Sequence, residues 1–320
     1  MIIKSEFTPA RWLQNRHLQT LFPNVFYRRP RVQIRRERLE LPDGDFIDVD
    51  WTGGATGPIV IVLHGLEGSI KSRYAARMMQ QIHSMGLRGA LPHFRGCSGE
   101  PNRLPIGYHS GFTQDLEYFT GMVKQREPQT VIAAVGFSLG GNVLLKWLGE
   151  SPNAKRLVTG IAVSVPFDLA DASRVIETGA SRIYKWSLLG RMRRSSLCKF
   201  QTVKPPFELP NIKQIRSFRE FDDKLTAPLH GYKDANDYYM KASSRYYLKY
   251  INVPTLILHA LDDPFMSPAS IPKEDELSKS VTLELSSRGG HVGFVNGSLF
   301  NPTLWLGARI SQHLRDYLMT

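Results

Sequence analysis

Gly136-Phe137-Ser138-Leu139-Gly140 is where this sequence makes its strongest case for chemistry. A serine hydroxyl is a weak nucleophile until a turn lifts it clear of the backbone and a base takes its proton. Val131 to Val135, just ahead, form an apolar block suited to a buried parallel strand, and Gly141 to Leu148, just behind, carry apolar residues at helical spacing. Strand, tight turn and helix together aim such a serine at a cleft. The flanking glycines let the strained turn pack closely, because glycine has no Cβ. Gly-x-Ser-x-Gly also occurs by chance in ordinary loops; its strand and helix set this one apart.

A serine nucleophile needs a base, and the base needs an orienting carboxylate. Where the serine sits on such an elbow, the chain order is serine, acid, histidine, with the last two on loops after later strands. The histidines after Ser138 are His230, His259, His291 and His313. His259 ends the apolar run from Val253 and belongs to a buried strand, His313 reads as a helix-surface residue, and His230 lies in a polar stretch with no strand ahead of it. His291 follows the strand-like Val281 to Leu285 and sits in the glycine-rich loop Arg288-Gly289-Gly290-His291-Val292-Gly293-Phe294, so it is the expected base. The acid belongs after the preceding strand, where Leu261-Asp262-Asp263-Pro264-Phe265 offers two carboxylates. Asp263 is preferred, since the following proline pushes it into an extended conformation at the strand end. Asp262 is the neighbouring alternative, Asp168 the alternative one strand earlier, and a simple turn cap the non-catalytic reading.

Negative charge developing on a substrate oxygen calls for two backbone N–H donors, one of them on the residue after the nucleophile, here Leu139. Leu66 is expected to supply the other, from the loop His64-Gly65-Leu66-Glu67-Gly68-Ser69 that follows the apolar run Pro58 to Leu63. His64 reads as a residue that shapes this loop. The histidines have no ligand spacing, so neither a metal nor another cofactor is expected.

Holding these groups together takes a sheet. Strands are predicted over 32–41, 45–51, 58–63, 88–93, 131–136, 157–165, 254–259 and 281–285, and helices over 72–85, 112–125, 140–149 and 302–317. Their alternation implies an α/β fold with a mostly parallel central sheet and helices on both faces. The Pro42-Asp43-Gly44 turn should join the first two strands into an antiparallel hairpin at one edge. Between 166 and 250 the rhythm breaks into helical, aromatic and basic pieces, such as Ile183-Tyr184-Lys185-Trp186 and Tyr238-Tyr239-Met240. That stretch reads as a helical cap over the catalytic edge, its aromatic residues lining an acyl pocket, inserted in a single domain spanning 1–320.

The formal net charge is +12, with basic clusters at Arg28-Arg29-Pro30-Arg31, Arg35-Arg36-Glu37-Arg38 and Arg191-Met192-Arg193-Arg194. A basic surface can attract nucleic acid or anionic lipid headgroups. No nucleic-acid module is recognisable, and 32–41 alternates like a strand with exposed charges. A solvated face is therefore preferred, with weak contact to an anionic membrane surface as the alternative. Cys97 and Cys198 give no disulfide framework, the opening Met1-Ile2-Ile3-Lys4-Ser5-Glu6 is no signal peptide, and no run approaches the ~20 apolar residues of a membrane span. A cytoplasmic protein is expected.

Several further stretches go together. They are Asn15-Arg16-His17-Leu18-Gln19-Thr20-Leu21, Asp43-Gly44-Asp45 through Asp50-Trp51, and the His64 to Ser69 loop. With them go Phe94-Arg95-Gly96-Cys97-Ser98-Gly99-Glu100-Pro101-Asn102-Arg103, Tyr108-His109-Ser110-Gly111 and Asp115-Leu116. With the serine elbow and the His291 loop, the sequence resembles the YheT-like branch of the α/β-hydrolase superfamily, over residues 15 to 294. The resemblance implies the α/β-hydrolase fold and esterase-type hydrolysis of acyl esters and lipids, and carried over position by position it supports Ser138, Asp263 and His291 as the triad. Three activities fit these residues: a serine esterase acting on a small-molecule acyl ester, an acyltransferase using the same acyl-enzyme, and a non-catalytic binding module. Loss of a triad residue would mark the last, and all three are present.

Overall fold

The computed structural model describes residues 1–319. The chain enters through a short strand, β1 (Ile2–Lys4), and a helix, α1 (Arg16–Phe26), then forms β2 (Arg35–Glu40), β3 (Phe46–Thr52) and β4 (Ile59–Leu63). Regular alternation follows, with α2 (Arg73–Ser84), β5 (Arg88–Pro92), α3 (Gln114–Arg126), β6 (Ile132–Phe137), α4 (Leu139–Glu150) and β7 (Thr159–Val163). A helical stretch then interrupts it: α5 (Leu169–Val175), α6 (Arg182–Lys199), α7 (Phe218–Phe221), a π-helical turn (Asp222–Thr226), α8 (Ala227–Leu229) and α9 (Ala235–Ala242). The sheet resumes with β8 (Thr255–Ala260) and β9 (Val281–Ser286), and a small hairpin, β10 (Val295–Gly297) with β11 (Pro302–Leu304), leads into α10 (Trp305–Leu318).

Among the described residues, nine strands make one sheet in the order β1-β9-β8-β7-β6-β4-β5-β3-β2. Only the pairings of β3, with β2 and with β5, are antiparallel; every other pair in this sheet is parallel. The edge hairpin thus forms as its turn chemistry required: Gly44 takes φ 86° and its N–H donates to Leu41 O at 3.0 Å. The central strands are buried on both faces and so read as unbroken apolar runs. Ile59, Ile61 and Leu63 of β4 pack in the core that holds Phe119 of α3 and Val143, Leu144 and Trp147 of α4. Val60 and Val62 point into the opposite core, with Met78, Met79 and Ile82 of α2 and Ile310 and Leu314 of α10. Each such side chain contributes about 1.5–3 kcal/mol by leaving water.

The stretch between β7 and β8 builds a third cluster, in which Ile176, Leu189, Met192, Phe218, Phe221 and Leu225 bury one another. Its C-terminal end departs from this, since Leu248 and Ile251 pack into the sheet core beside α4. The expected 302–317 helix begins instead at Trp305, because 302–304 pair with β10. His313 is half-buried within it, its Nε2 2.8 Å from Thr159 Oγ1, so the expected helix-surface residue is a contact between α10 and β7. Neither β1 nor α1 was expected. Among the described residues, no helix is long and apolar enough to cross a membrane.

Candidate active site

Ser138 follows the last residue of β6 and immediately precedes α4, with φ 52° and ψ −120°. A non-glycine residue at positive φ is strained, and the packing around it keeps it there. A Cβ on Gly136 would lie 2.5 Å from Gly140 O, and one on Gly140 would collide with the carbonyl oxygens of Leu63 and His64. The glycines of the elbow are thus required by close approach of β6, β4 and α4.

The histidine and one aspartate meet this serine. His291 Nε2 lies 3.0 Å from Ser138 Oγ, and His291 Nδ1 lies 2.8 Å from Asp263 Oδ2. Asp263 is buried in the loop after β8, where its other oxygen accepts the Phe265 N–H at 2.9 Å. The Phe265 ring stacks on the imidazole at 4.0 Å with 7° between planes, which fixes the ring's orientation. Asp262 turns the other way: its Oδ1 accepts the Gly290 N–H at 2.9 Å and so holds the backbone of the histidine loop, while burial raises its pKa. Asp168 is the N-cap of α5, accepting the Asp171 N–H at 3.1 Å. Of the three carboxylates weighed, the structure brings Asp263 alone to the histidine.

The two expected oxyanion donors flank the same space. Leu139 is the first residue of α4, so its N–H has no acceptor within the helix, and the positive end of the helix dipole faces the same way. Leu66 lies in the loop after β4, and Leu66, Leu139, Ser138 and His291 all line one cavity of about 500 Å3. The loop is held from several sides. Gly65 N–H donates to Tyr74 Oη at 2.7 Å, and Glu67, at φ 53°, donates its N–H to Tyr108 Oη at 2.7 Å. His64 is wholly buried and neutral, its pKa pushed down to about 3 by burial. Its Nδ1–H donates to Gly65 O at 2.8 Å and its Nε2 accepts the Phe94 N–H at 3.2 Å, so it ties the loop to the end of β5.

Sequence reasoning missed the groups that hold the histidine loop. His291 N–H donates to Thr20 Oγ1 at 2.9 Å, Val292 N–H to Ser164 Oγ at 3.0 Å and Val295 N–H to Gln19 Oε1 at 2.7 Å. Gln19 and Thr20 belong to α1, whose N-cap Asn15 accepts the N–H groups of His17 and Leu18. The Asn15 to Leu21 stretch therefore backs the His291 loop. Two aromatics expected in an acyl pocket lie elsewhere. Trp186 is exposed, and Tyr184 packs between His17 and Phe265 behind the histidine. The apolar walls of the cavity come instead from residues such as Ile176, Leu188, Met192, Phe218 and Phe221.

A family model described as the alpha/beta hydrolase fold matches residues 58–298. The YheT protein of Escherichia coli strain K12 is 42% identical over 98% of this chain and 94% of its own. A mouse phospholipase, ABHD3, is 30% identical over 92% of this chain and 75% of its own, and a monoacylglycerol lipase of Saccharomyces cerevisiae is 34% identical over 74% and 55%. Among solved structures, an esterase of Pyrococcus furiosus superposes with a TM-score of 0.59 at 15% identity, over 99% of this chain and 100% of that one, a likeness of fold alone. With nearly its whole length aligned to the Escherichia coli protein and residues 58–298 matched by the family model, the chain belongs to the YheT-like branch of the α/β-hydrolase family.

Proposed function

We propose that this protein is a serine hydrolase that cleaves carboxylic acyl esters. The observation that carries the reading is the hydrogen-bonded chain from Asp263 through His291 to Ser138, opening on an apolar-walled cavity. Ser138 Oγ attacks the ester carbonyl carbon while His291 Nε2 takes its proton. The tetrahedral oxyanion is received by the N–H groups of Leu139 and Leu66, each contributing roughly 3 kcal/mol to the transition state. Collapse breaks the bond to the alcohol, which leaves with the proton from His291, and the acyl group stays on Ser138. Water then attacks the acyl-enzyme with His291 again as base, releasing the carboxylic acid and restoring the serine. Asp263 fixes the Nδ1–H tautomer and stabilises the imidazolium. The named activities of the mouse and yeast relatives, phospholipase and monoacylglycerol lipase, support an acyl ester as the substrate class.

The test is turnover of p-nitrophenyl esters from acetate to palmitate by wild type and Ser138→Ala. The variant is expected to keep its melting temperature and lose about 10³- to 10⁶-fold in kcat. A fluorophosphonate should label wild type at Ser138 and at no other serine. Hydrolysis of the best ester by Ser138→Ala at the wild-type rate would sink the mechanism.

A further inference from the structure

The cavity that contains Ser138 also has a cationic wall that ester cleavage does not use. Lys199, the last residue of α6, lines it, with Nζ donating to Asn102 Oδ1 at 2.9 Å and to Ile106 O at 2.6 Å. Both acceptors are neutral, and among the described residues no carboxylate forms an ion pair with this ammonium. Arg95 lines the cavity too, but its guanidinium is taken up by Asp115 at 2.7 Å, Asp43 at 2.7 Å and Asp45 at 3.3 Å. His230 and His109 complete the wall, their rings edge to face at 4.5 Å.

These two histidines hold unused donors. The Gly111 N–H donates to His109 Nδ1 at 3.1 Å, which places the His109 proton on Nε2. His109 is only 6% exposed and lines the cavity, yet among the described residues nothing accepts from that Nε2–H. Neither ring nitrogen of His230 has a partner among them. The nearby acids are engaged. Asp222 accepts from Thr226 Oγ1 at 2.7 Å and Tyr239 Oη at 2.8 Å, and Glu67 accepts from Tyr108 Oη at 3.0 Å and Ser195 Oγ at 2.6 Å. Lys199 is half-buried, with Asp45 and Arg95 the charged groups that act on it, and the ring N–H groups of the two histidines have no acceptor among the described residues beside the cavity they line.

We propose that Lys199, His109 and His230 form a subsite for an anionic group of the substrate, a carboxylate or a phosphate, on the molecule whose ester is cleaved at Ser138. This rests on the reading of Ser138 as an ester nucleophile. An anion there would pair with the ammonium and accept from the imidazole N–H groups that no protein acceptor among the described residues uses. Burial lowers the Lys199 pKa to about 7, so an adjacent anion would also restore its charge near neutrality. Burial, with Lys199 beside it, lowers His230 to about 4, so this imidazole serves as a neutral donor.

Equilibrium binding to Ser138→Ala tests the subsite without turnover. Two matched pairs are titrated calorimetrically: monomethyl adipate against dimethyl adipate, and 1-butyryl-glycerol 3-phosphate against 1-butyrylglycerol. The anionic member of at least one pair is expected to bind about tenfold more tightly, as a desolvated charge pair allows, and the pair that responds identifies carboxylate or phosphate. Adding Lys199→Met should close that gap to about twofold or less, and adding His230→Phe, which keeps the ring packing, should narrow it. Equal binding within both pairs, or a gap that survives both substitutions, overturns the subsite. Failure of the ester reading looks different: the binding gap would appear while wild-type protein hydrolysed neither these esters nor the p-nitrophenyl series. Hydrolysis of the p-nitrophenyl series without a gap would leave Ser138 as nucleophile and remove the anion subsite alone.

Discussion

Asp262 and Asp263 are neighbours in sequence with opposite employments, one holding a loop backbone and the other holding an imidazole. Sequence made the region legible, through the strand ahead and the proline behind, but two adjacent carboxylates differ only in the side of the loop they face. Their separation is set by burial and partners that appear once β8 and β9 are paired. Asp263→Asn is expected to lower kcat about 10³- to 10⁴-fold, because the amide presents its NH2 to Nδ1 and selects the wrong tautomer. Asp262→Asn should cost far less, since a carbonyl oxygen can still accept the Gly290 N–H. Asp168→Asn should be nearly silent, because asparagine caps helices as well as aspartate does. Steady-state kinetics on one good p-nitrophenyl ester decides the ranking, and the reverse order for the first two would move the acid to Asp262. The placement of Ser138, Leu139 and Leu66 was more legible still, since it follows from local backbone geometry.

At the scale of elements, α1 is the piece that hydrophobic patterning hid. A surface helix is recognised when its apolar stripe faces the core, but α1 buries Gln19, Thr20 and Pro23 and leaves Leu18, Leu21, Val25 and Phe26 exposed. Its inward face is polar because it receives N–H groups from the histidine loop. β1 was hidden for a simpler reason, being three residues long. Thr20 is accordingly a positioning residue. Thr20→Val removes the acceptor for the His291 N–H, a loss of about 1–3 kcal/mol in a buried setting. The expected readout is a fall in kcat of about tenfold with KM little changed, reversed by Thr20→Ser, which restores the hydroxyl. A merely structural role would lower the melting temperature and leave kcat of the folded protein alone; that outcome would detach α1 from the chemistry.

The molecule as a whole sets two sheet cores, assembled from strands and their flanking helices, beside a separate apolar cluster in the stretch between β7 and β8. The alternation made the first two legible. The third resists sequence reading because α6, which carries Tyr184 and Trp186, has no sustained apolar period, and the rest of the cluster comes from short helices and a π-helical turn, which is why those two aromatics looked like pocket residues. Phe221 belongs to this cluster and lines the cavity. Phe221→Ala should change the ratio of octanoate to acetate hydrolysis by about fivefold or more, while acetate turnover stays within about threefold, as one altered apolar contact allows. A uniform loss at every chain length, tracking a lower melting temperature, would make Phe221 part of the packing alone.

The pairing of Ile2 with Leu283, on the far edge of the sheet, also sets a clock. A ribosome adding ~5–20 residues per second leaves the opening strand without its partner for roughly 15–55 s. Through that interval the segment containing α1 likewise lacks residues 289–295, the loop it will hold. The central strands and the serine elbow have every neighbour but β8 long before then. A ribosome-stalled chain ending at 250 should therefore be cut readily by protease within its first thirty residues and resist cutting in β4 and β6. On the proposed mechanism, newly made protein carries its nucleophile early and receives its base last, so reactivity arrives only as synthesis nears its end.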